Sequence, residues 1–268
     1  MAEKKHRLVS VPLLAVICSM LYVYCSTVFI FLDEWLGLAT ASGILNAIIF
    51  SWVAFMTFFS FFVSVLTDPG SVPPFFAPAV EDARHDSGDA VYCEKCCSYK
   101  PPRTHHCRVC KRCVLKMDHH CIWINTCVGY KNYKSFVIFA LHASLGSCYA
   151  MVIFVSNLMQ KEHDFGIVSV KLFYALSGLV ILGASLSSTS LFCWHVYLLA
   201  HNMTTIEYRG AQKDRWLANK SGQKYRHPFD LGFFQNLILI FGPNMLKWFC
   251  PTAVGHLCDG TQFPISND

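Results

Sequence analysis

Charge is scarce in this sequence. Asp, Glu, Lys and Arg make up only 15% of the 268 residues, while 54% are hydrophobic and phenylalanine alone numbers 22. That balance excludes an ordinary soluble domain. Four stretches are nearly or wholly free of charge. The first runs from Leu8 to Leu32, between Arg7 and Asp33, and the second lies within Ile44–Leu66, ending before Asp68. The third is bounded by Lys134 and Lys161, and the fourth starts after Lys171 and runs to about Ala200. Each is long enough for a bilayer core, which takes roughly 20 apolar residues in helical form. One such run can be a buried core helix; four of this length predict membrane-spanning helices. The first run exceeds the roughly 7–15 residues of a secretory signal's apolar segment, so it reads as an uncleaved first helix.

Basic residues are missing from one side. The turn Asp33–Gly43 has no Lys or Arg, and the connection Gln160–Lys171 has only Lys161 and Lys171. By contrast, Met1–Arg7 carries Lys4, Lys5 and Arg7, the stretch Thr67–Ser135 carries ten Lys and Arg, and the tail from His201 carries seven. The positive-inside rule therefore predicts a cytosolic location for both termini and for residues 67–135. The expected order is residues 1–66 for the first two helices, 67–135 for a cytosolic segment, 136–200 for the third and fourth helices, and 201–268 for a cytosolic tail. The net charge of +5 suits contact with an anionic inner leaflet. Retention and lipidation signals are absent from both ends, and nothing has the form of a nucleic-acid module.

Within the cytosolic segment, "TDPGSVPPFFAPAVEDARHDSGDA" reads as a helix stop followed by an extended linker. In the tail, "NMTTIEYRG" reads as a polar linker. "HPFDLGFFQNLILIFGPNMLKWFCP" is too short and interrupted for a fifth span, and reads as an interfacial helix.

What the chain does have is cysteine in one place. Eight of its fourteen cysteines lie between Cys93 and Cys127. In a reducing cytosol, clustered cysteines read as metal ligands or catalytic thiols rather than disulfides. Their spacing repeats. Cys93-x2-Cys96-x9-His106-x6-Cys113 forms one four-ligand set, and Cys107-x2-Cys110-x9-His120-x6-Cys127, fourteen residues later, forms another. Three cysteines and one histidine suit a closed, structural tetrahedral zinc. The two sets interleave in the chain and would staple a segment with too little core to fold alone.

Extending the period by one unit starts at Cys121, but the next ligand positions hold Ile124, Lys134 and Leu141. Cys121 therefore occupies a ligand's place with no site to complete. The two copies of "HHC" differ in this way: Cys107 holds metal and Cys121 is a free thiol. Asp118 and His119 stand just before it, and together Asp118, His119 and Cys121 supply orienter, base and nucleophile. His105, the counterpart of His119, follows Thr104 rather than an acid and reads as structural. Cys97 fits neither ligand register and reads as a plain thiol. The intramembrane histidines His142 and His195 read as partners in helix–helix hydrogen bonds.

With these motifs the sequence resembles the DHHC family of protein S-acyltransferases, or palmitoyltransferases, and most of all its plant members. "YCEKC", "KPPRTHHCRVCKRCVLKMDHHC" and "NTCVGYKNYKSF" match that family's cysteine-rich domain. "DPG" at Asp68–Gly70, "TTIE" at Thr204–Glu207 and the segment around Asn236 match three further motifs, in family order around four helices. The resemblance implies an all-α polytopic membrane protein with four transmembrane helices. A loop-rich zinc-binding domain with two structural zinc ions lies between helices 2 and 3. It implies that Cys121 takes a long-chain acyl group from fatty acyl-CoA and passes it to cysteines of membrane-associated substrate proteins, at the cytosolic face of the bilayer. His119 would be the general base and Asp118 its support, while Thr205 and Asn236 would steady the catalytic loop and helix ends. Golgi is the compartment it suggests. Arg103, Arg108, Lys111 and Arg112 either meet the CoA phosphates or face lipid headgroups. Ile122 and Thr126 depart from the commoner proline and asparagine of the family.

Two other classes are weighed against this. A RING-type adaptor needs a further Cys-x2-Cys pair closing the array after Cys113, and none follows. A zinc hydrolase needs an open coordination position, and both ligand sets are complete.

Overall fold

The computed structural model describes residues 10–77, 91–160, 167–223 and 225–266. Met1–Arg7, the linker around Ser87 and residues 161–166, on which part of the orientation argument rests, lie outside the described residues.

Among the described residues, four helices are long and apolar enough to cross a membrane: α1 (Val11–Leu36), α2 (Ala41–Leu66), α3 (Tyr133–Gln160) and α4 (Val168–Ala200). Ser10 caps α1 by accepting from the Leu13 amide, and Pro12 sits in its first turn, where a missing N–H costs nothing. The charge at Asp33 predicts an end at Leu32, yet the helix continues to Leu36 through a π-helical stretch at Thr27–Leu32. Partnered acids explain the difference. The Glu34 carboxylate accepts from the Tyr174 hydroxyl at 2.7 Å and from the Asn157 amide at 3.2 Å, while Asp33 accepts from the Leu38 amide at 2.9 Å.

The chain divides into two compact units. One comprises the described residues of Val9–Phe62 and Val137–Trp194. Its core gathers Phe31, Leu32, Phe50, Ile153, Phe154 and Ile181 from all four helices. Ser144 pairs with Thr189 and Ser147 with Ser188, both at 2.9 Å. Such pairs tie helices where water is absent, each contributing on average about 0.6 kcal/mol. Phe29, Trp52 and Leu179 face outward, an apolar surface suited to hydrocarbon.

The other unit takes in Val63–Phe136 and the chain from His195 onward. Three short antiparallel hairpins lie in it: β1 (Tyr92–Cys93) with β2 (Ser98–Tyr99), β3 (His105–Cys107) with β4 (Arg112–Val114), and β5 (His119–Cys121) with β6 (Thr126–Val128). Their registers match at a spacing of fourteen: Cys93 opposes Ser98, Cys107 opposes Arg112 and Cys121 opposes Thr126. Each turn places one non-glycine residue at positive φ, namely Cys97 (51°), Lys111 (58°) and Asn125 (55°). The ligand pattern stops after two units, but the backbone repeat runs through three. Cys97, which fits neither ligand register, fits this backbone register as the left-handed residue of the first turn.

"TTIE" does not lie in a linker. It opens α5 (Thr205–Lys220), because Thr204 accepts from the Glu207 amide and Glu207 accepts from the Thr204 amide, a reciprocal capping box. α6 (Phe233–Phe241) buries Asn236 and Ile240 and exposes Phe233 and Phe234. Lys134, expected to bound the third span, lies instead within the first turn of α3 and is almost wholly buried. Its ammonium donates to the carbonyls of Phe241, Lys247 and Ala253 at 3.0, 2.9 and 2.8 Å, which offsets the cost of burying the charge.

Candidate active site and metal clusters

The hairpins explain the ligand spacing. Pairing sets His106 directly across from Cys113 and His120 across from Cys127. Each Cys-x2-Cys turn then completes a cluster, and the donor atoms of each set lie within 4.8 Å of one another. His106 Nδ1 is 3.6, 3.2 and 3.9 Å from the sulfurs of Cys93, Cys96 and Cys113. His120 Nδ1 is 3.6, 3.4 and 3.6 Å from those of Cys107, Cys110 and Cys127. A tetrahedral zinc with its ordinary bond lengths sets S···N at about 3.6 Å. The donor sets fit, and each cluster can hold one zinc ion.

Cys121 stands apart from both. It occupies in β5 the position that Cys107 occupies in β3, but Ile124 replaces the second cysteine of its turn and is buried. Asp118, just before β5, is completely buried. Its Oδ1 accepts from the Thr205 amide at 2.9 Å, and its Oδ2 accepts from the Thr205 hydroxyl at 2.9 Å. Oδ2 also meets His119 Nδ1 at 2.7 Å. With Nδ1 engaged by Asp118, Nε2 is the nitrogen His119 has left. Burial opposes protonation of this imidazole, but the hydrogen bonds and charges of Asp118 and Cys121 outweigh it and raise the pKa to about 9. Burial likewise opposes ionisation of Asp118, and its partnership with His119 and Thr205 still holds the carboxyl below its usual range. Thr104 takes the place of Asp118 in the first copy, so His105 has no such acid behind it.

Of the two expected supporting residues, Thr205 contacts this group and Asn236 meets the end of α4 instead. Thr205, the first residue of α5, delivers both of its donors to Asp118 because the Thr204 cap ends the preceding chain at that point. Asn236 is fully buried; its amide donates to the Ala200 carbonyl at the end of α4 (2.9 Å) and to Asp230 (2.7 Å).

Arg103 is placed differently from expectation. It is not a free cation for phosphate. Its side chain is 1% exposed, its guanidinium grips both carboxylate oxygens of Glu207 at 2.7 Å, and it lies 4.4 Å from the centroid of the Phe229 ring. The fork-shaped contact ties the chain before the first HHC to the helix that holds Asp118. Burial opposes ionisation of Glu207, and His227 and Arg103 overcome it, keeping the carboxyl far below its ordinary range. Arg112 pairs with Asp68 of the DPG motif at 2.7 Å, while Arg108 and Lys111 remain exposed. Ile122 is exposed next to Cys121, and Thr126 lies directly across the hairpin from Cys121.

Of the two intramembrane histidines expected to join helix–helix hydrogen bonds, His195 does so, with Tyr133 of α3, close to His119. His142 makes only a local contact with its own helix, to the Ile138 carbonyl, as a packing histidine would. His195 does not: one of its ring nitrogens lies within 4.8 Å of donor atoms of both Asp118 and His119. Tyr133 and Phe136 complete its surroundings. The available signal was an intramembrane histidine ten residues before Thr205.

Four long apolar helices, two cysteine–histidine clusters and a cysteine outside both, with His119 and Asp118 just before it, define the class: a polytopic membrane protein with a cysteine-rich metal-binding segment. The DHHC palmitoyltransferase family model matches residues 86–212. Probable protein S-acyltransferase 15 of Arabidopsis thaliana is 48% identical over 251 residues, covering 92% of this chain and 99% of the relative. Probable protein S-acyltransferase 16 of the same plant is 42% identical over 270 residues, with 97% and 94% covered. Human palmitoyltransferase ZDHHC3 is 36% identical over 210 residues, with 71% and 69% covered. The chain belongs to the DHHC palmitoyltransferase family of protein S-acyltransferases.

Proposed function

We propose that the protein moves a palmitoyl or similar long-chain acyl group from acyl-CoA to cysteines of membrane-associated substrate proteins, through a thioester on Cys121. The observation that carries this is the Thr205–Asp118–His119–Cys121 chain of contacts next to a thiol that belongs to neither cluster. His119 takes the proton from Cys121, and the sulfur attacks the carbonyl carbon of the acyl thioester. The Cys121–acyl bond forms, the CoA sulfur–acyl bond breaks, and His119 returns the proton to the departing CoA thiolate. In the second half, a substrate cysteine gives its proton to His119 and takes the acyl group, and Cys121 leaves and is reprotonated. Asp118 holds the ring with Nδ1 engaged, so that Nε2 serves both transfers.

Zinc supplies structural bonds: one ion held by Cys93, Cys96, His106 and Cys113, a second by Cys107, Cys110, His120 and Cys127. The three-hairpin segment depends on them for its fold. We place both termini and this segment in the cytosol on the asymmetry of Lys and Arg, and the protein in the Golgi on family resemblance. The test is to give purified protein labelled palmitoyl-CoA and a cysteine-containing substrate peptide. One CoA should be released per acyl group bound, and the label should then pass to the peptide and be cleaved by neutral hydroxylamine. CoA release without label on protein or peptide contradicts the transfer.

A further inference from the structure

His195 lies in the last turns of α4 and is 1% exposed, an uncommon place for an imidazole without a task. Its Nδ1 is 3.1 Å from the hydroxyl of Tyr133, a residue of the first turn of α3 that is itself buried. Phe136, one turn further along α3, meets His195 edge-to-face at 5.0 Å between ring centroids and meets His119 edge-to-face at 5.5 Å. The two imidazoles stand 6.0 Å apart at 38°. A nitrogen of His195 is thereby held within 4.8 Å of a carboxylate oxygen of Asp118 and a ring nitrogen of His119. Two buried rings, Phe136 and His195, thus pack against His119, and the buried Tyr133 holds His195.

We propose that His195, oriented by the Tyr133 hydroxyl, is a positioning residue for the acyl transfer: it backs the Asp118–His119 pair and keeps the His119 ring aimed at Cys121. The inference rests on the thioester reading above. Its physical content is a division of labour. Thr205 fixes the carboxylate through both oxygens, but one hydrogen bond to Nδ1 leaves the His119 ring free to swing about that contact. His119 needs a second wall because its side chain is 29% exposed, whereas Asp118 is sealed. Tyr133, Phe136 and His195 form that wall. When the Tyr133 hydroxyl donates to Nδ1, His195 carries its proton on Nε2, a donor that can serve the Asp118 carboxylate without carrying net charge into a dry site.

Asp118, His119 and His195 could alternatively gather a cation. The carboxylate argues against this, because Thr205 and His119 already take three of its acceptor positions and leave room for one further donor.

The test compares His195→Phe, His195→Gln and Tyr133→Phe with the unmodified enzyme. The measurement is the rate of hydroxylamine-labile self-acylation from palmitoyl-CoA over a range of concentrations, with zinc content determined on the same samples. His195→Phe keeps the ring packed on Phe136 but removes both nitrogens. Misplacing a reacting group by about 1 Å can cost on the order of 10²-fold. The saturated rate of His195→Phe should therefore fall by roughly ten- to a hundredfold, while half-saturation by palmitoyl-CoA stays unchanged and zinc stays at two per chain. His195→Gln, which restores a polar group, should recover part of the rate. Tyr133→Phe should show a smaller loss in the same direction. An unchanged saturated rate in His195→Phe overturns the proposal, as does a third bound zinc that disappears with this substitution. If His195→Phe loses both zinc ions, Tyr133→Phe decides: a normal rate there overturns the proposal as well. Cys121→Ser in the same series separates the two levels. A label that survives in Cys121→Ser sinks the thioester reading, whereas its loss there, with His195→Phe at full rate, sinks only the role of His195.

Discussion

The hairpins β3–β4 and β5–β6 begin with the same three residues, share one register and differ in what they do. In the first, Cys107 turns toward Cys110, His120 and Cys127 and completes a cluster. In the second, Cys121 stands in the same backbone position, but Ile124 has replaced the second cysteine, so no metal can claim the thiol. One position upstream of each HHC the change is Thr104 against Asp118. That acid, engaged by Thr205 of α5, holds the His119 ring as nothing holds His105, the arrangement that the proposed proton transfer uses. On that reading, one hairpin of a metal-binding repeat becomes catalytic by losing one ligand and gaining one carboxylate, with the backbone register unchanged.

The sharpest contrast is between serine replacements in the two copies. Cys107→Ser should lose zinc and unfold the hairpin segment, since structural zinc contributes on the order of 10 kcal/mol to such folds. Elemental analysis and thermal melts check this, and full zinc content in Cys107→Ser would dissolve the difference between the copies. His119→Ala should retain both zinc ions and slow self-acylation by about 10²–10⁴-fold, the usual contribution of general-base help. His105→Ala should leave the rate within a few fold, and equal losses in the two variants would mean that the acid behind His119 is irrelevant. Arg103→Met removes one half of a buried ion pair and should destabilise the unit that holds the hairpins by about 3–5 kcal/mol. Denaturant melts of the zinc-loaded protein provide the check, with no change in the melt arguing against the tie between the first copy and α5. Thr204→Ala removes a helix cap and should cost only about 1 kcal/mol. The same melts resolve it, and a loss as large as that of Arg103→Met would show that the cap does more than start α5.

Local signals made much of this legible. Gaps in charge located the four apolar helices to within a few residues, and two of their ends moved where a charge found a buried partner, as Glu34 does with Tyr174 and Lys134 with three carbonyls. The fourteen-residue spacing gave both donor sets because hairpin pairing converts sequence period directly into proximity. The capping box at Thr204 and Glu207 was present as a Thr-x-x-Glu pattern, but it sat in a polar stretch without the apolar periodicity that marks a helix. His195 was legible as a helix–helix hydrogen-bond partner, but its partner Tyr133 and the Arg103–Glu207 pair were not, because they join segments 62 and 104 residues apart and no local rule reports such contacts. The third hairpin was hidden because ligands defined the period, and its turn has Ile124 where a ligand would stand.

The central claim is that Cys121 is the member of the ligand register set free for chemistry. One preparation of Cys121→Ser, measured for both zinc and acyl label after exposure to labelled palmitoyl-CoA, tests it most directly. The account predicts two zinc ions per chain and no hydroxylamine-labile label. A variant that keeps the label at the wild-type rate, or that loses a zinc ion, would contradict it.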